Sequence, residues 1–139
     1  MRNTIFAVLM IVLTSCGSTK ITEREMIVSI PSNYTLHDIE FVLRDNNYTL
    51  EMSSSNKIIT AWRKTKVELT TFRVEVIQRV DGWEMKGRVR YEAYRDREMD
   101  ESVFTEEYVY PNSDVFVIQY GWNMLTKIGN ELVDDFQDQ

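Results

Sequence analysis

The chain has 139 residues but only one cysteine, Cys16, and one histidine, His37. A metal centre needs several converging ligands, and one His with one Cys leaves only carboxylates to supply them. The acids Asp96, Glu98, Asp100, Glu101, Glu106 and Glu107 crowd one stretch. They lack the glycine turn and the ligand spacing of a calcium loop. No G-x-S-x-G motif occurs, no Cys–His pair, and no serine with a histidine base other than His37. Acids suitable for glycoside hydrolysis are plentiful, but nothing marks one pair. None of the five glycines belongs to a phosphate loop. The sequence therefore predicts neither an enzyme nor a metal or cofactor site, and places His37 on the solvent side of a helix start.

Cys16 carries the clearest chemistry. Arg2 is a short positive region, Ile5 to Leu13 is an unbroken apolar run of nine, and Thr14 and Ser15 are small. Nine residues are too few to cross a bilayer as a helix, which takes about 20, but they suit the middle of an export signal. Leu13-Thr14-Ser15-Cys16 resembles the lipobox of bacterial lipoproteins. That resemblance implies cleavage before Cys16 and acylation of its thiol. Two or three chains on one residue hold far more firmly than the single chain that binds reversibly. It divides the chain into a signal peptide (1–15), a lipidated cysteine with a polar tether (16–25) and one domain (26–139). It further implies a cell-envelope protein held to the membrane by its anchor. Gly17 follows the cysteine and Gly17-Ser18-Thr19-Lys20 is not an acidic export tag. The periplasmic side of an outer membrane is accordingly the expected location.

Charge is segregated along the chain. Residues 16–56 carry a net −3, residues 57–97 a net +5 and residues 98–139 a net −9. Such segregation concerns partners and not fold. Alternation along the middle segment places Lys86, Arg88 and Arg90 on the outward face of one strand, with Arg73 and Arg79 on the outward parity of its hairpin partner. Two readings stand for these five residues. One is a wet face neutralised by cross-strand pairing with Glu75, Glu84 and Glu92. The other is a surface for an anionic partner: a lipid headgroup, a cell-wall polymer or an acidic envelope protein. Nucleic acid fits neither an extracytoplasmic chain nor an overall charge of −6. Trp62, Trp83, Trp122 and seven tyrosines serve either core packing or the lining of a cavity.

The elements that must position these residues follow from periodicity. Met26–Ile30 reads as a strand. Thr35 with Asp38 three residues on makes a capping box, and Leu36, Ile39, Val42 and Leu43 step at helical spacing up to Asp45-Asn46-Asn47. Strands follow at Tyr48–Met52, Lys57–Lys64 and Val67–Val80, the last changing phase near Thr70-Thr71 as at a β-bulge. Asp81-Gly82 signals a type I′ hairpin. From Trp83 to Ala93 apolar and charged residues alternate, the mark of a sheet packed on one side. Residues 95–102 read as a loop and Phe104–Tyr110 as a further strand. After a cap at Asn112 or Ser113, Val115, Ile118, Trp122, Leu125, Ile128, Leu132 and Phe136 form the stripe of a helix of about 22 residues. Trp122 and Leu125, central in it, are expected in the core.

This order predicts an α+β domain: a single antiparallel sheet of about four to five strands, with a short N-terminal helix and a long C-terminal helix on one face. The capped helix, Asn-Asn-Tyr-Thr-Leu-Glu-Met, a turn and Lys-Ile-Ile-Thr-Ala, over about residues 35–61, resemble the opening of the helix-grip modules of BamC-like lipoproteins. BamC belongs to the outer-membrane β-barrel assembly machinery; what the resemblance implies here is a helix-grip-like fold. Together these features predict a non-catalytic binding or scaffolding module. The alternative is a carrier of a small molecule or lipid in a groove between sheet and C-terminal helix.

Overall fold

A computed structural model of the protein describes residues 20–96 and 101–137. Cys16 and the apolar run lie outside the described residues. The described chain opens with a 3-10 helix, Glu23–Met26. Glu25 accepts a hydrogen bond from the Thr22 N–H at 2.9 Å. The elements after it are β1 (Val28–Pro31), α1 (Leu36–Asp45), β2 (Leu50–Ser54), β3 (Lys57–Thr60), β4 (Arg63–Lys64), β5 (Thr70–Arg79), β6 (Gly82–Asp96), β7 (Glu101–Tyr108) and α2 (Phe116–Gln137).

Local chemistry sets the helix ends. The Thr35 N–H donates to Asp38 Oδ2 at 2.7 Å, and the Asp38 N–H donates to Thr35 Oγ1 at 3.2 Å. Two donors left orphaned by the first turn are thereby satisfied. Asn47, at φ 63°, turns the chain out of α1. The Asn46 amide then donates to Val42 O at 2.9 Å and to Glu131 Oε2 at 2.5 Å, tying the end of α1 to α2. At the start of α2 neither expected residue is the cap proper. Asn112 sits left-handed at φ 58° in the preceding turn. It is the Val115 carbonyl that accepts from the N–H groups of Ile118 and Gln119, both at 3.1 Å.

The sheet has seven antiparallel strands, more than the four to five expected. Its main path is β1-β6-β5-β3-β2, with β7 also on β6 and β4 also on β5. The difference arises because two flanking positions are each shared. Along the free edge of β6, β1 covers Gly82–Met85 and β7 covers Arg88–Asp96. Along β5, β3 covers Glu75–Ile77 and β4 covers Thr71–Phe72. The run Lys57–Lys64 is therefore two strands broken at Ala61-Trp62. Arg95, Asp96, Glu101 and Ser102, expected in a loop, belong to β6 and β7.

Two turns also differ from expectation. The change of phase before β5 is no bulge: the chain bends over residues 66–69 and the strand begins at Thr70. In the β5–β6 hairpin Arg79 pairs with Gly82, so the two-residue turn is Val80-Asp81. Gly82 follows it at φ 148°, where a Cβ would stand 2.3 Å from the Ile30 carbonyl oxygen. That close approach, and not a I′ turn, is what requires glycine here.

The core lies on one face. Ile58, Phe72, Val74, Val76, Met85 and Val89 of the sheet bury against Ile39, Val42 and Leu43 of α1 and Ile118, Leu125, Ile128 and Leu132 of α2. Leu125 is fully buried as expected, but Trp122 is only half-buried at the margin. Helix and sheet meet closely along α2. A Cβ on Gly121 would stand 2.5 Å from Val109 Cγ1, and one on Gly129 would stand 2.7 Å from Val28 Cγ1. No described helix is long and apolar enough to cross a membrane.

Candidate ligand-binding face

With both α-helices on one side, the other side of the sheet is open among the described residues, apart from the 3-10 helix whose Glu23 reaches Lys86. Strand alternation delivers Arg73 and Glu75 of β5 and Lys86, Arg88 and Arg90 of β6 to that open side. Arg73 lies directly across from Arg88, and Glu75 across from Lys86. Two like charges opposite each other are unfavourable, and Glu75 relieves them. It pairs with Arg73 at 3.2 Å and with Arg88 at 3.6 Å. Glu106 of β7 does the same one row further on, at 3.3 Å from Arg88 and in a forked contact with Arg90. Glu23, from the 3-10 helix, accepts from Lys86 Nζ at 2.5 Å. Arg79 stands apart at the hairpin end, 3.0 Å from Glu84.

All five cations singled out in the sequence thus have carboxylate partners, and four of them form one lattice. Of the acids expected to pair, Glu75 and Glu84 do so. Glu92 Oε1 is buried without a hydrogen-bond partner. The charges shape one another's titration. The hydrogen bond from Lys86, followed by its charge, holds the Glu23 carboxyl below the usual carboxylate range. The hydrogen bond from Arg90 holds Glu106 low, reinforced by the charges of Arg90, Arg88 and Arg73 against a smaller opposing effect of desolvation.

Two aromatic rings complete the lattice, and sequence reasoning did not place either there. Trp62 follows the break between β3 and β4. Its ring centroid is 4.8 Å from the Arg73 guanidinium and 4.4 Å from that of Arg90. Tyr108 of β7 takes Arg88 at 5.1 Å and Lys86 at 5.6 Å. Cation–π contacts of this kind contribute about 0.5–1 kcal/mol each at exposed sites. Their larger effect here is positional, since they fix a flat indole on an otherwise charged face.

Beside Trp62 opens a cleft of about 510 Å³, within the usual range for small-ligand sites. Its apolar lining is Trp62, Val67, Leu69 and Phe104; Lys64, Lys66 and Arg90 supply cations and Glu68 one acid. Leu69 is 56% exposed and Phe104 53%. Leu69 is also left-handed, at φ 52°, a conformation costing a branched L-residue about 1–2 kcal/mol. The loop that imposes it is closed by its own hydrogen bonds. The Thr65 N–H donates to Thr70 O at 3.0 Å, the Val67 N–H to Thr65 Oγ1 at 3.0 Å, and Thr70 Oγ1 to Glu68 O at 3.1 Å. Strain that the surroundings enforce in this way is characteristic of functional loops.

The remaining candidates are dispersed. His37 is exposed on the first turn of α1. Trp83 is buried and donates its indole N–H to Tyr34 O at 3.0 Å, a core role. Glu98 and Asp100 lie outside the described residues, and among the described ones no group of His, Cys, Asp and Glu could hold a metal ion. A cleft of about 590 Å³ separates Lys20, Ile21 and Glu25 from the Tyr110–Val115 turn, and one of about 480 Å³ lies between the end of α1 and α2. In the first, one cation meets two acids, and in the second three cations meet two acids, whereas in the Trp62 cleft three cations meet one acid. No protein-family model matches this sequence, and no curated protein matches it.

Proposed function

We propose that the protein is a lipid-anchored cell-envelope lipoprotein whose single α+β domain is a non-catalytic binding or scaffolding module. Acylated Cys16 holds it to the periplasmic side of an outer membrane. The anchor rests on one coincidence of register: the apolar run, the two small residues and the only cysteine follow one another in the order a lipobox requires. The binding role rests on the open sheet face, where a charge lattice holds Trp62 beside a cleft rimmed by cations. The placement of α2 across the sheet supports the helix-grip-like description.

The anchor is tested by fractionation. Cys16→Ser should leave the precursor uncleaved or free the protein from membranes, and it should remove the mass of the acyl chains. Unchanged membrane association and mass would overturn it. Protease added to intact cells should spare the domain; ready digestion would place it on the outer surface. The carrier reading moves with the geometry. At Gly121 and Gly129 the sheet–helix boundary is closed to within van der Waals contact, and the cleft that remains beside α2 at Tyr48 and Tyr120 is lined mostly by polar groups, so the apolar Trp62 cleft is the better place for a carried ligand.

A further inference from the structure

We infer that the Trp62–Leu69–Phe104 cleft binds a free, single-chain anionic amphiphile, an acyl chain ending in one carboxylate or phosphate. This rests on the binding role proposed above but not on the anchor, since the cleft is formed wholly by the domain.

Three observations converge. The walls are apolar and held out toward solvent. Trp62 is fixed over Arg73 and Arg90, while Leu69 and Phe104 each leave about half their surface exposed. A side chain exposed by a strained backbone gains nothing for the fold. The hydrogen bonds of Thr65 and Thr70 hold the backbone at positive φ, where glycine would sit without strain, so leucine at this position points to what its side chain presents. Finally, Lys64, Lys66 and Arg90 line the same cleft against Glu68 alone, an excess of two positive charges. Arg90 is already committed to Glu106 and Trp62. Neither lysine is among the described ion pairs, and both are exposed. They are the groups free to meet an anionic head. An apolar body with an anionic end fits this arrangement; a neutral amphiphile leaves the lysines unused, and a cationic one is repelled. The lattice on the rest of the face is neutralised by its own glutamates, which confines the attraction to the cleft.

The test uses the full chain carrying Cys16→Ser, so that no acyl group of its own competes, and the fluorescence of Trp62 as reporter. Sodium laurate below its micellar concentration should shift the emission saturably. Dodecyl maltoside should bind at least about tenfold more weakly, and dodecyltrimethylammonium should not compete. Trp62→Phe should abolish the signal, since Trp83 and Trp122 are remote from the cleft. Lys64→Glu with Lys66→Glu should weaken laurate binding by about tenfold or more. Leu69→Gly should weaken it while raising the melting temperature, a pair of opposite effects that mere unfolding does not produce. Equal affinity for the three amphiphiles, or laurate binding unchanged in both the Leu69 and the double-lysine variants, overturns the inference. So does a shift produced only by anionic phospholipid vesicles, which would make a bilayer the occupant. None of these outcomes depends on whether the wild-type chain is acylated.

Discussion

Gly121 of α2 faces Val109 so closely that a methyl group added to it would stand 2.5 Å from Val109 Cγ1 and 2.8 Å from Val89 Cγ1. Two effects oppose each other here. Alanine improves helix propensity by about 1 kcal/mol. Overfilling a packed core costs about 1–3 kcal/mol, and β-branched valines are stiff neighbours that yield little. The overlap should win. Gly121→Ala is expected to lower stability by about 1–2 kcal/mol in urea denaturation, with an unchanged denaturant slope. Increased stability would mean that α2 sits further from the sheet.

Within α2 the cost of truncation should follow burial and not size. Leu125 is fully enclosed, whereas Trp122 lies at the margin of the core. Leu125→Ala is expected to cost about 2–5 kcal/mol, and Trp122→Ala clearly less. Thermal melts of the two variants decide the order; a larger loss for Trp122 would contradict the packing described.

Acid should loosen the open face first. Arg90 keeps Glu106 ionised below the usual carboxylate range, and Lys86 does so for Glu23. A group whose pKa is depressed in the folded state contributes stability above its unfolded value, and loses that contribution as pH falls through the folded one. Melting temperature should therefore decline on acidification below the usual carboxylate range. The decline should be shallower in Glu106→Gln and smaller at high salt, which screens exposed pairs. Parallel pH profiles for the variant and wild type would refute this.

Alkali should act in part through Tyr48, which shares with Tyr91 a phenol pushed up to about 12. Burial pushes the Tyr48 phenol up from 10.0 to about 12, against a smaller opposing pull from Arg63, whose guanidinium is 5.0 Å from the ring centroid. In the unfolded chain the phenol ionises near its ordinary value, so the folded state holds the proton longer. Its contribution is intact below pH 10 and is lost as pH rises toward about 12. Tyr48→Phe should flatten that alkaline loss of stability, followed by circular dichroism against pH.

Glu75 bridges Arg73 and Arg88 with a side chain only 13% exposed. Its removal leaves two guanidiniums facing each other across adjacent strands. Glu75→Gln keeps the shape and removes the charge. It should cost about 1–3 kcal/mol, more than Glu84→Gln at the exposed hairpin end. Equal effects would show that the lattice is no more than a set of independent surface pairs, each contributing little.

The legibility of this fold varied with how local its causes are. Thr35 and Asp38 announce α1 because a capping box is complete within four residues, and the spacing from Ile118 to Leu132 announces α2 because its burial partner is continuous. Alternation from Trp83 to Val89 gave the two faces of β6 correctly, and with them the outward set of arginines and lysines. The strand count was not legible, because sharing one edge of β6 between β1 and β7 is a tertiary arrangement with no sequence period of its own. Trp62 was missed for a related reason. Ala61 leaves the strand to donate its N–H to Thr49 O at 2.8 Å, and the break carries the indole onto the open face. Leu69 gave no signal at all, since a bulky apolar residue at positive φ contradicts every local rule and is held there by Thr65 and Thr70.

The bond between Glu23 and Lys86 has a mechanical meaning. It fastens Glu23, within the polar stretch read as a tether, onto the domain, so that seven residue steps separate Cys16 from a point held on the sheet. For a chain held at Cys16, that leash reaches about 23 Å at full extension, roughly seven-tenths of what ten free residues would give. Lys20 and Ile21 border the same cleft as Val115, and the neighbouring Phe116 is 68% exposed. Under the anchor proposed above, the start of α2 would be the part of the domain held nearest the lipid surface. A module on so short a leash searches in two dimensions. Under that proposal it would meet first what diffuses within the membrane or close above it.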